Sequence, residues 1–326
     1  MKLGVFSDLD CEAHRGYAFL AEKPQRLEEL RVLFRESGLE ILPAKPATPA
    51  MLELAHHPAY VAHIEALSKK RMTGQLGDFV AGKRSAYLQY YLRPMEGTYR
   101  AATAAAGCVV EAVQEVIAGK LDRAFCAVRP PGHHAGVMSG EGFCFFNNVA
   151  IGALTAARMG KRVAIVDFDR HHGNGTQQIV EERGRGKVLL VSSFRDNCKY
   201  AKELKHKPPG RNIVTIPVSA QCDFEQVRLL YEAQALPAIK AFKPDLLMFS
   251  AGFDMHKNDK LKDGMLLESA DFEPLTEMVI KAAAKTCGSK VVSVLEGGYK
   301  SRTAKNGDAL WGLKESVAFH LKALQR

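Results

Sequence analysis

Residues 162–168 read RVAIVDF and run directly into DRHHGNG at 169–175. The first segment is short, apolar and rich in β-branched residues, which is typical of a strand buried on both faces of a parallel sheet. The second segment adds an acid, two adjacent histidines and an asparagine. Ligands of parallel α/β sheets bind beyond the carboxyl ends of the strands. The junction between the two segments therefore predicts a functional site at that edge of a sheet.

Further apolar runs repeat the strand pattern along the chain, at 2–6, 124–128, 187–193, 212–218, 245–251 and 290–296. Helical patterns lie between most of them, most clearly at 97–118, 147–158, 223–241 and 271–286. Strands that alternate with helices predict an α/β fold, a mostly parallel sheet with helices on both faces. No repeat and no Ser/Gly/Pro-rich linker divides the chain, so we expect residues 1–326 to form a single catalytic domain.

Composition sets broad limits on the class of protein. With 326 residues, 47% hydrophobic and 25% charged, the chain has the values of a globular protein. The net charge is +9, but the basic residues are spread out and no nucleic-acid-binding motif is present, so we expect no specific nucleic-acid binding. We expect neither a signal peptide nor a membrane-spanning segment, since the sequence has no apolar stretch long enough to span a bilayer. The seven scattered cysteines, without a CxxC pair, favour a reducing compartment, and we expect a cytoplasmic protein with no membrane association.

Polar residues follow three other apolar runs as well. RPPGHH places His133 and His134 after the run at 124–128, SAGFD places Asp254 after the run at 245–251, and LEGGY places Tyr299 after the run at 290–296. Each motif alone is as readily explained by an ordinary solvated loop. If all these motifs were ordinary solvated loops, their occurrence together after four predicted strands would require several independent coincidences.

The spacing of Asp167, Asp169 and His171 indicates a metal site. Residues two apart in an extended chain point to the same side. Two carboxylates and an imidazole on one side form either a cluster in which the carboxylates repel each other or a site that binds a metal cation. Asp254 ends another strand at the same edge and is the natural further ligand. Three ligands from Asp and His leave a position open for water or substrate, as a catalytic zinc requires, although ferrous iron uses similar ligands.

The motifs together resemble those of the histone deacetylase and acetylpolyamine amidohydrolase family, in its class II-like, bacterial-type branch. The resemblance is carried by RPPGHHAG, GFCFFNNVAI, VDFDRHHGNGTQ, SAGFDMH and LEGGY. It implies the arginase/deacetylase fold, with a mostly parallel eight-stranded sheet. It also implies a zinc-dependent deacetylase whose substrate is an acylated amine: an acyl-lysine, an acetylpolyamine or a small acylamide.

The resemblance also assigns roles. It makes Asp169, His171 and Asp254 the ligands of one catalytic zinc ion per chain. It makes His133 and His134 the catalytic pair, oriented by Asp167 and Asn174, and Tyr299 the oxyanion donor. Gly142 and Phe143 resemble one wall of the substrate tunnel. A structural potassium site is implied at the segment of Asp167, Asp169 and His171, with Ser192 nearby. His172 matches no catalytic position and is interpreted as structural.

Asn174 stands where some family members have aspartate, so we expect a less basic His134.

The second wall of the substrate tunnel departs from the family pattern. The loop at 199–211 has Lys207 and Pro208 where relatives have an aromatic residue, and Tyr200 is the remaining candidate for this wall. No acid lies between Asp78 and Glu96. The loop at 199–211 is also basic, and this charge is explained at least as readily by an ordinary solvated loop. If the loop faces the mouth of the site, it predicts a preference against polycationic substrates. Its charged residues are Lys199, Lys202, Lys205, Lys207 and Arg211 against the single acid Glu203. Two alternatives stay open: an arginase-like ureohydrolase with two manganese ions, and a non-catalytic acyl-ligand-binding or regulatory protein. The oligomeric state is open too.

Overall fold

A computed structural model describes residues 1–16, 20–69, 92–197, 210–259, 267–299 and 312–326. Its strands are β1 (Leu3–Phe6), β2 (Ile41–Leu42), β3 (Arg123–Cys126), β4 (Val163–Asp167), β5 (Val188–Arg195), β6 (Ile213–Val218), β7 (Leu246–Ala251) and β8 (Val291–Leu295). They form one eight-stranded sheet in the order β2-β1-β3-β8-β7-β4-β5-β6. Every pairing of neighbouring strands is parallel, so the expected sheet is confirmed.

The connections between strands are mainly helical. The α-helices are α1 (Gln25–Glu36), α2 (Pro49–Leu52), α3 (Pro58–Ser68), α4 (Thr98–Ile117), α5 (Asn148–Arg158), α6 (Asn174–Arg183), α7 (Phe224–Leu230), α8 (Leu236–Phe242), α9 (Phe272–Cys287) and α10 (Leu313–Gln325). Short 3₁₀ turns cover Leu9–Glu12 and Ser269–Asp271. The helix expected over 223–241 is interrupted by a π-turn at Tyr231–Ala235 and continues to Phe242.

Helices cover both faces of the sheet, as expected. On β3, the Arg123 guanidinium donates to the Ala323 carbonyl of α10 at 2.8 Å. From the other end of the same strand, Cys126 Sγ donates to the Cys108 carbonyl of α4 at 3.8 Å. Residues three apart on a strand point to opposite faces. The sheet is therefore buried on both sides, which explains why its strands are continuous apolar runs in the sequence.

Several expectations lie beyond this description. The loop at 199–211 falls outside the described residues except for its last two positions, and so does most of the acid-free stretch before Glu96. In the described part of the chain, no helix combines the length and the apolar character needed to cross a bilayer. The single-domain organisation, the cytoplasmic location and the lack of nucleic-acid binding stay predictions.

A buried histidine joins α10 to the sheet. His320 is fully buried, with one ring nitrogen 2.6 Å from Thr276 Oγ1 of α9 and the other 2.8 Å from Ser293 Oγ of β8. Phenylalanine rings surround it, among them Phe168 and Phe253. Burial lowers the pKa of His320 to about 3, because the cation would lose its hydration without gaining a charged partner. The neutral ring therefore acts as a polar link inside an apolar core.

His320→Gln should reduce the acid sensitivity of folding. The unfolded chain takes up a proton at this histidine below pH 6.5, whereas the folded protein does so only near pH 3. Protonation of His320 in the unfolded chain thus lowers the free energy of unfolding by about 2 kcal/mol between pH 7 and pH 5. Urea unfolding at the two pH values should show that loss reduced by about this amount in His320→Gln, and unchanged in the exposed-site control His57→Gln. Equal pH dependence in wild type and His320→Gln would contradict the assignment.

Candidate active site

The polar strand ends identified in the sequence meet at one edge of the sheet. The strands β3, β8, β7 and β4 are consecutive neighbours in the sheet order. Because all four run in the same direction, the segments that follow them emerge side by side. These segments carry the histidine pair after β3, Tyr299 after β8, Asp254 after β7, and the DRHHGNG segment after β4.

Asp169, His171 and Asp254 form a compact cluster at this edge. One ligand atom of each lies within 4.8 Å of the others. His171 Nδ1 is 3.1 Å from Asp169 Oδ1 and 3.1 Å from Asp254 Oδ2. Both carboxylates are buried, at 1% and 0% exposure, and among the described residues Asp254 Oδ2 accepts no hydrogen bond of good geometry. Buried carboxylates require a compensating cation, so these residues fit a metal ion.

The electrostatics of the cluster point the same way. Burial acts to lower the pKa of His171, but the hydrogen bond to Asp169 and the charges of Asp169 and Asp254 raise it to about 10. Burial acts to raise the pKa of Asp169, but the positive charges of His133 and His171 hold it well below its usual range. The two carboxylates therefore draw a positive charge into the cluster. A metal ion supplies that charge when His171 binds as the neutral imidazole.

Backbone groups fix the two carboxylates in place. Asp254 Oδ1 accepts from the Arg170 amide at 2.9 Å, and Asp169 Oδ2 accepts from the Gly297 amide at 2.9 Å. The chain passes so close to the cluster that a Cβ atom at Gly297 would lie 2.5 Å from Asp169 Oδ2. Glycine is required there because any side chain would displace a carboxylate.

The histidine pair lies beside this cluster, and each ring has a different partner. His133 Nδ1 is 3.0 Å from Asp167 Oδ2, and His134 Nδ1 is 2.6 Å from Asn174 Oδ1. The two rings lie 4.1 Å apart, and the ring of His134 lies 5.9 Å from that of His171. The structure thus brings the expected histidine partners together.

The pKa values of the two histidines move in opposite directions. Burial lowers the pKa of His133, but the charges of Asp169 and Asp167 outweigh it and raise the pKa well above 6.5. For His134, burial and then the charges of His133 and His171 hold the pKa well below 6.5. The direction for His134 is the expected one, although burial is the main cause. Two neighbouring groups with separated pKa values can serve as a base and a cation.

Tyr299, Gly142 and Phe143 lie around the pair. The Phe143 ring meets the Tyr299 ring edge-on at 5.6 Å. Gly142 has φ +53°, and a Cβ atom there would lie 2.3 Å from His134 Cδ2. The backbone of Gly142 therefore rests directly on the imidazole. Burial raises the pKa of Tyr299 well above 10, so its hydroxyl stays a hydrogen-bond donor.

Ser192 and His172 lie behind the cluster. Ser192 pairs with Asp167 in the β4–β5 register, and its hydroxyl is 2.9 Å from His172 Nδ1. The other ring nitrogen of His172 is 2.7 Å from Gln177 Oε1. The pKa of His172 is lowered to about 4, chiefly by burial. These contacts fit a structural role for His172, and the potassium site stays a prediction.

Glu296 is a site residue that sequence reasoning missed. Its Oε2 accepts from the amides of Gly132 and His133 at 2.7 and 3.1 Å, and its Oε1 accepts from Ser250 Oγ at 3.1 Å. It therefore holds the backbone of the histidine pair. Glu296, His133 and Cys144 also form a second group of close ligand atoms. The three donors already account for the Glu296 carboxylate. An acid at a strand end, as in LEGGY, was the available signal.

Arg26 and Glu141 were missed too. Arg26 Nε donates to the Gly298 carbonyl at 2.7 Å, and its guanidinium lies 4.9 Å from the centre of the Tyr299 ring. No local pattern could reveal a partner so distant in the chain. Glu141 Oε2 accepts from Asn174 Nδ2 at 3.4 Å. Its signal was an acid directly before Gly142.

Comparisons with known proteins place the chain in a family. A family model described as the histone deacetylase domain matches residues 20–311. A protein named histone deacetylase-like amidohydrolase from Pseudomonas aeruginosa is 34% identical over 291 residues, covering 86% of this chain and 72% of that protein. A protein named type-2 histone deacetylase 2 from Dictyostelium discoideum is 37% identical over 245 residues, covering 69% of this chain. The match spans only 14% of the Dictyostelium protein.

A solved structure is similar over nearly the whole chain. The crystal structure of the HDA15 HD domain superimposes with a TM-score of 0.84 and 27% sequence identity. The superposition covers 99% of this chain and 89% of the other.

Asp254→Asn should abolish metal-dependent stabilisation while leaving the fold intact. A ligand present at a hundred times its Kd stabilises a folded protein by about 2.7 kcal/mol, so wild type should melt at higher temperature when Zn²⁺ is added. The variant loses one anionic ligand and should show little shift. Its metal-free form should be at least as stable as wild type, since one buried negative charge is removed. The control is Asp245→Asn, directly before β7 at the end of the strand away from the cluster, where the half-buried carboxylate accepts from the Arg162 amide. A full Zn²⁺ shift in Asp254→Asn would refute the ligand set.

Proposed function

The chain belongs to the histone deacetylase family, and we propose that it is a zinc-dependent amidohydrolase that removes an acetyl or other acyl group from an amine. The observation that carries the proposal is one arrangement: an Asp-His-Asp cluster with two buried carboxylates, beside a histidine pair with separated pKa values. A deacetylase needs these two parts together, because water must be activated and a proton must reach the leaving amine.

Asp169, His171 and Asp254 would hold the zinc ion, which supplies a Lewis acid for the scissile carbonyl and acidifies water. The chemistry of the chain's own residues follows from their partners. His134 donates its Nδ1 proton to Asn174 Oδ1, which leaves Nε2 free to accept a proton from the attacking water. Its lowered pKa keeps it neutral before the reaction. The same nitrogen then returns the proton to the departing amine.

His133 and Tyr299 stabilise the charge that develops. Asp167 keeps His133 oriented, and the charge of its carboxylate favours the cationic form of His133 beside the reacting atoms. Tyr299 donates its hydroxyl proton as a hydrogen bond to the developing oxyanion. Phe143 and Gly142 line the approach for the acyl chain. We also propose a structural potassium ion at the backbone of Asp167, Asp169 and His171, with Ser192 nearby.

The alternatives have weaker support. An arginase-like site with two manganese ions needs further bridging carboxylates, but Asp167 is engaged by His133 and by the Asp169 amide. A non-catalytic ligand-binding protein has no need to keep the metal ligands, the histidine pair and the tyrosine together. The amidohydrolase is therefore the function that the site supports best.

A substrate screen tests the proposal directly. The zinc-loaded protein should hydrolyse at least one of three classes: acyl-lysine peptides, acetylpolyamines or small acylamides. Amine release should be measured for each class beside the Asp254→Asn variant, which removes a proposed metal ligand. Absence of hydrolysis in all classes, combined with binding of an acylated ligand, would favour the non-catalytic alternative. Release of urea from a guanidino substrate would favour the ureohydrolase.

Tyr299→Phe should keep metal binding and lower kcat by about 100- to 1,000-fold, as expected for removal of an oxyanion donor. The hydroxyl acts only once the oxyanion forms, so KM should change little. Tyr99→Phe, the same substitution on α4 away from the cluster, is the matched control. The assignment is wrong if Tyr299→Phe retains the wild-type kcat.

A further inference from the structure

Glu141 lies next to the amide that orients His134. It belongs to the segment that precedes Gly142, and its side chain is 8% exposed. Glu141 Oε2 accepts from Asn174 Nδ2 at 3.4 Å, while Asn174 Oδ1 is 2.6 Å from His134 Nδ1. The three side chains thus form a line from carboxylate to amide to imidazole. The first contact is long for a hydrogen bond, so its effect is largely that of the charge.

The chemistry of the carboxylate fixes the direction of this line. An ionised carboxylate only accepts hydrogen bonds, whereas an amide side chain has one accepting and one donating end. The Asn174 NH₂ group must therefore face Glu141, and its oxygen must face His134. The amide oxygen in turn requires a proton on His134 Nδ1. That leaves Nε2 unprotonated, which is the tautomer that can act as a base.

We propose that Glu141 is a positioning residue: its carboxylate sets the orientation of the Asn174 amide and thereby the tautomer of His134. The inference rests on the proposed function, because it concerns the base of that reaction. The negative charge also favours the cationic form of His134 that the reaction generates. This form is otherwise opposed by burial and by the charges of His133 and His171. Glu141 thus offsets in part the absence of a carboxylate at position 174.

Glu141→Gln tests the charge without emptying the site. Glutamine keeps the size and an accepting oxygen, so a role in packing alone survives the change. Loss of the fixed amide orientation should lower kcat by about 3- to 10-fold with little change in KM. The matched control is Glu182→Gln, because Glu182 Oε1 also accepts from a side-chain amide, that of Gln178 at 2.9 Å, on the surface. The control should behave as wild type.

A second background separates positioning from structure. Asn174→Asp gives His134 a direct carboxylate partner, which sets its tautomer without help from Glu141. It also places this carboxylate beside that of Glu141. In that background Glu141→Gln should change kcat little, since the new carboxylate already sets the tautomer of His134. A fall in kcat of equal size in both backgrounds would overturn the proposal, and so would a wild-type kcat for Glu141→Gln alone.

The tautomer itself can be read without turnover. The ¹⁵N shifts of the His134 ring at pH 7.5 should show a proton on Nδ1 in wild type and a mixture of tautomers in Glu141→Gln. Identical ring shifts in the two proteins would contradict the positioning role. Because this measurement needs no substrate, it still decides the role of Glu141 if the wild-type protein hydrolyses no acylamide. That latter result would count against the proposed function alone.

Discussion

Two buried carboxylates that face one imidazole are the constraint on which this site depends. Asp169 and Asp254 are almost completely removed from water, and both lie 3.1 Å from the same nitrogen of His171. Burying two negative charges so close together destabilises a folded protein unless a positive charge is present. The cluster lies at the carboxyl edge of a parallel sheet, where the segments after four neighbouring strands bring their side chains together.

The surroundings of the cluster are organised to hold those charges still. Backbone amides fix the carboxylates, and Glu296 fixes the backbone of the histidine pair. Burial raises the pKa of Glu296 to about 7, against the charge of His133 and the amide donors. In a second buried group, Arg129 donates to both oxygens of Glu22. Arg26 pairs with the same carboxylate at 3.6 Å and contacts the Tyr299 ring. A preorganised set of charges of this kind is what catalysis of amide hydrolysis requires.

Much of this could be predicted from the sequence, for identifiable reasons. Buried parallel strands are continuous apolar runs, so seven of the eight strands were readable, and the residues after them mark the site. The strand Ile41–Leu42 has only two residues and carries no periodic signal. The π-turn at Tyr231–Ala235 leaves no trace in an amphipathic pattern. Arg26 acts on a partner far along the chain, so only the folded structure reveals it. Glu141 is readable as the acid before Gly142, but its contact with Asn174 appears only in the folded structure.

The central claim is that one metal ion, held by the cluster of Asp169, His171 and Asp254, drives amide hydrolysis. The most direct measurement is a titration of metal-free protein with Zn²⁺, in which bound metal and the rate of deacylation of an active substrate are followed together. The account predicts that the rate rises in proportion to bound zinc and reaches its maximum at one equivalent per chain. Full activity in the metal-free protein, or a requirement for two equivalents, would contradict it.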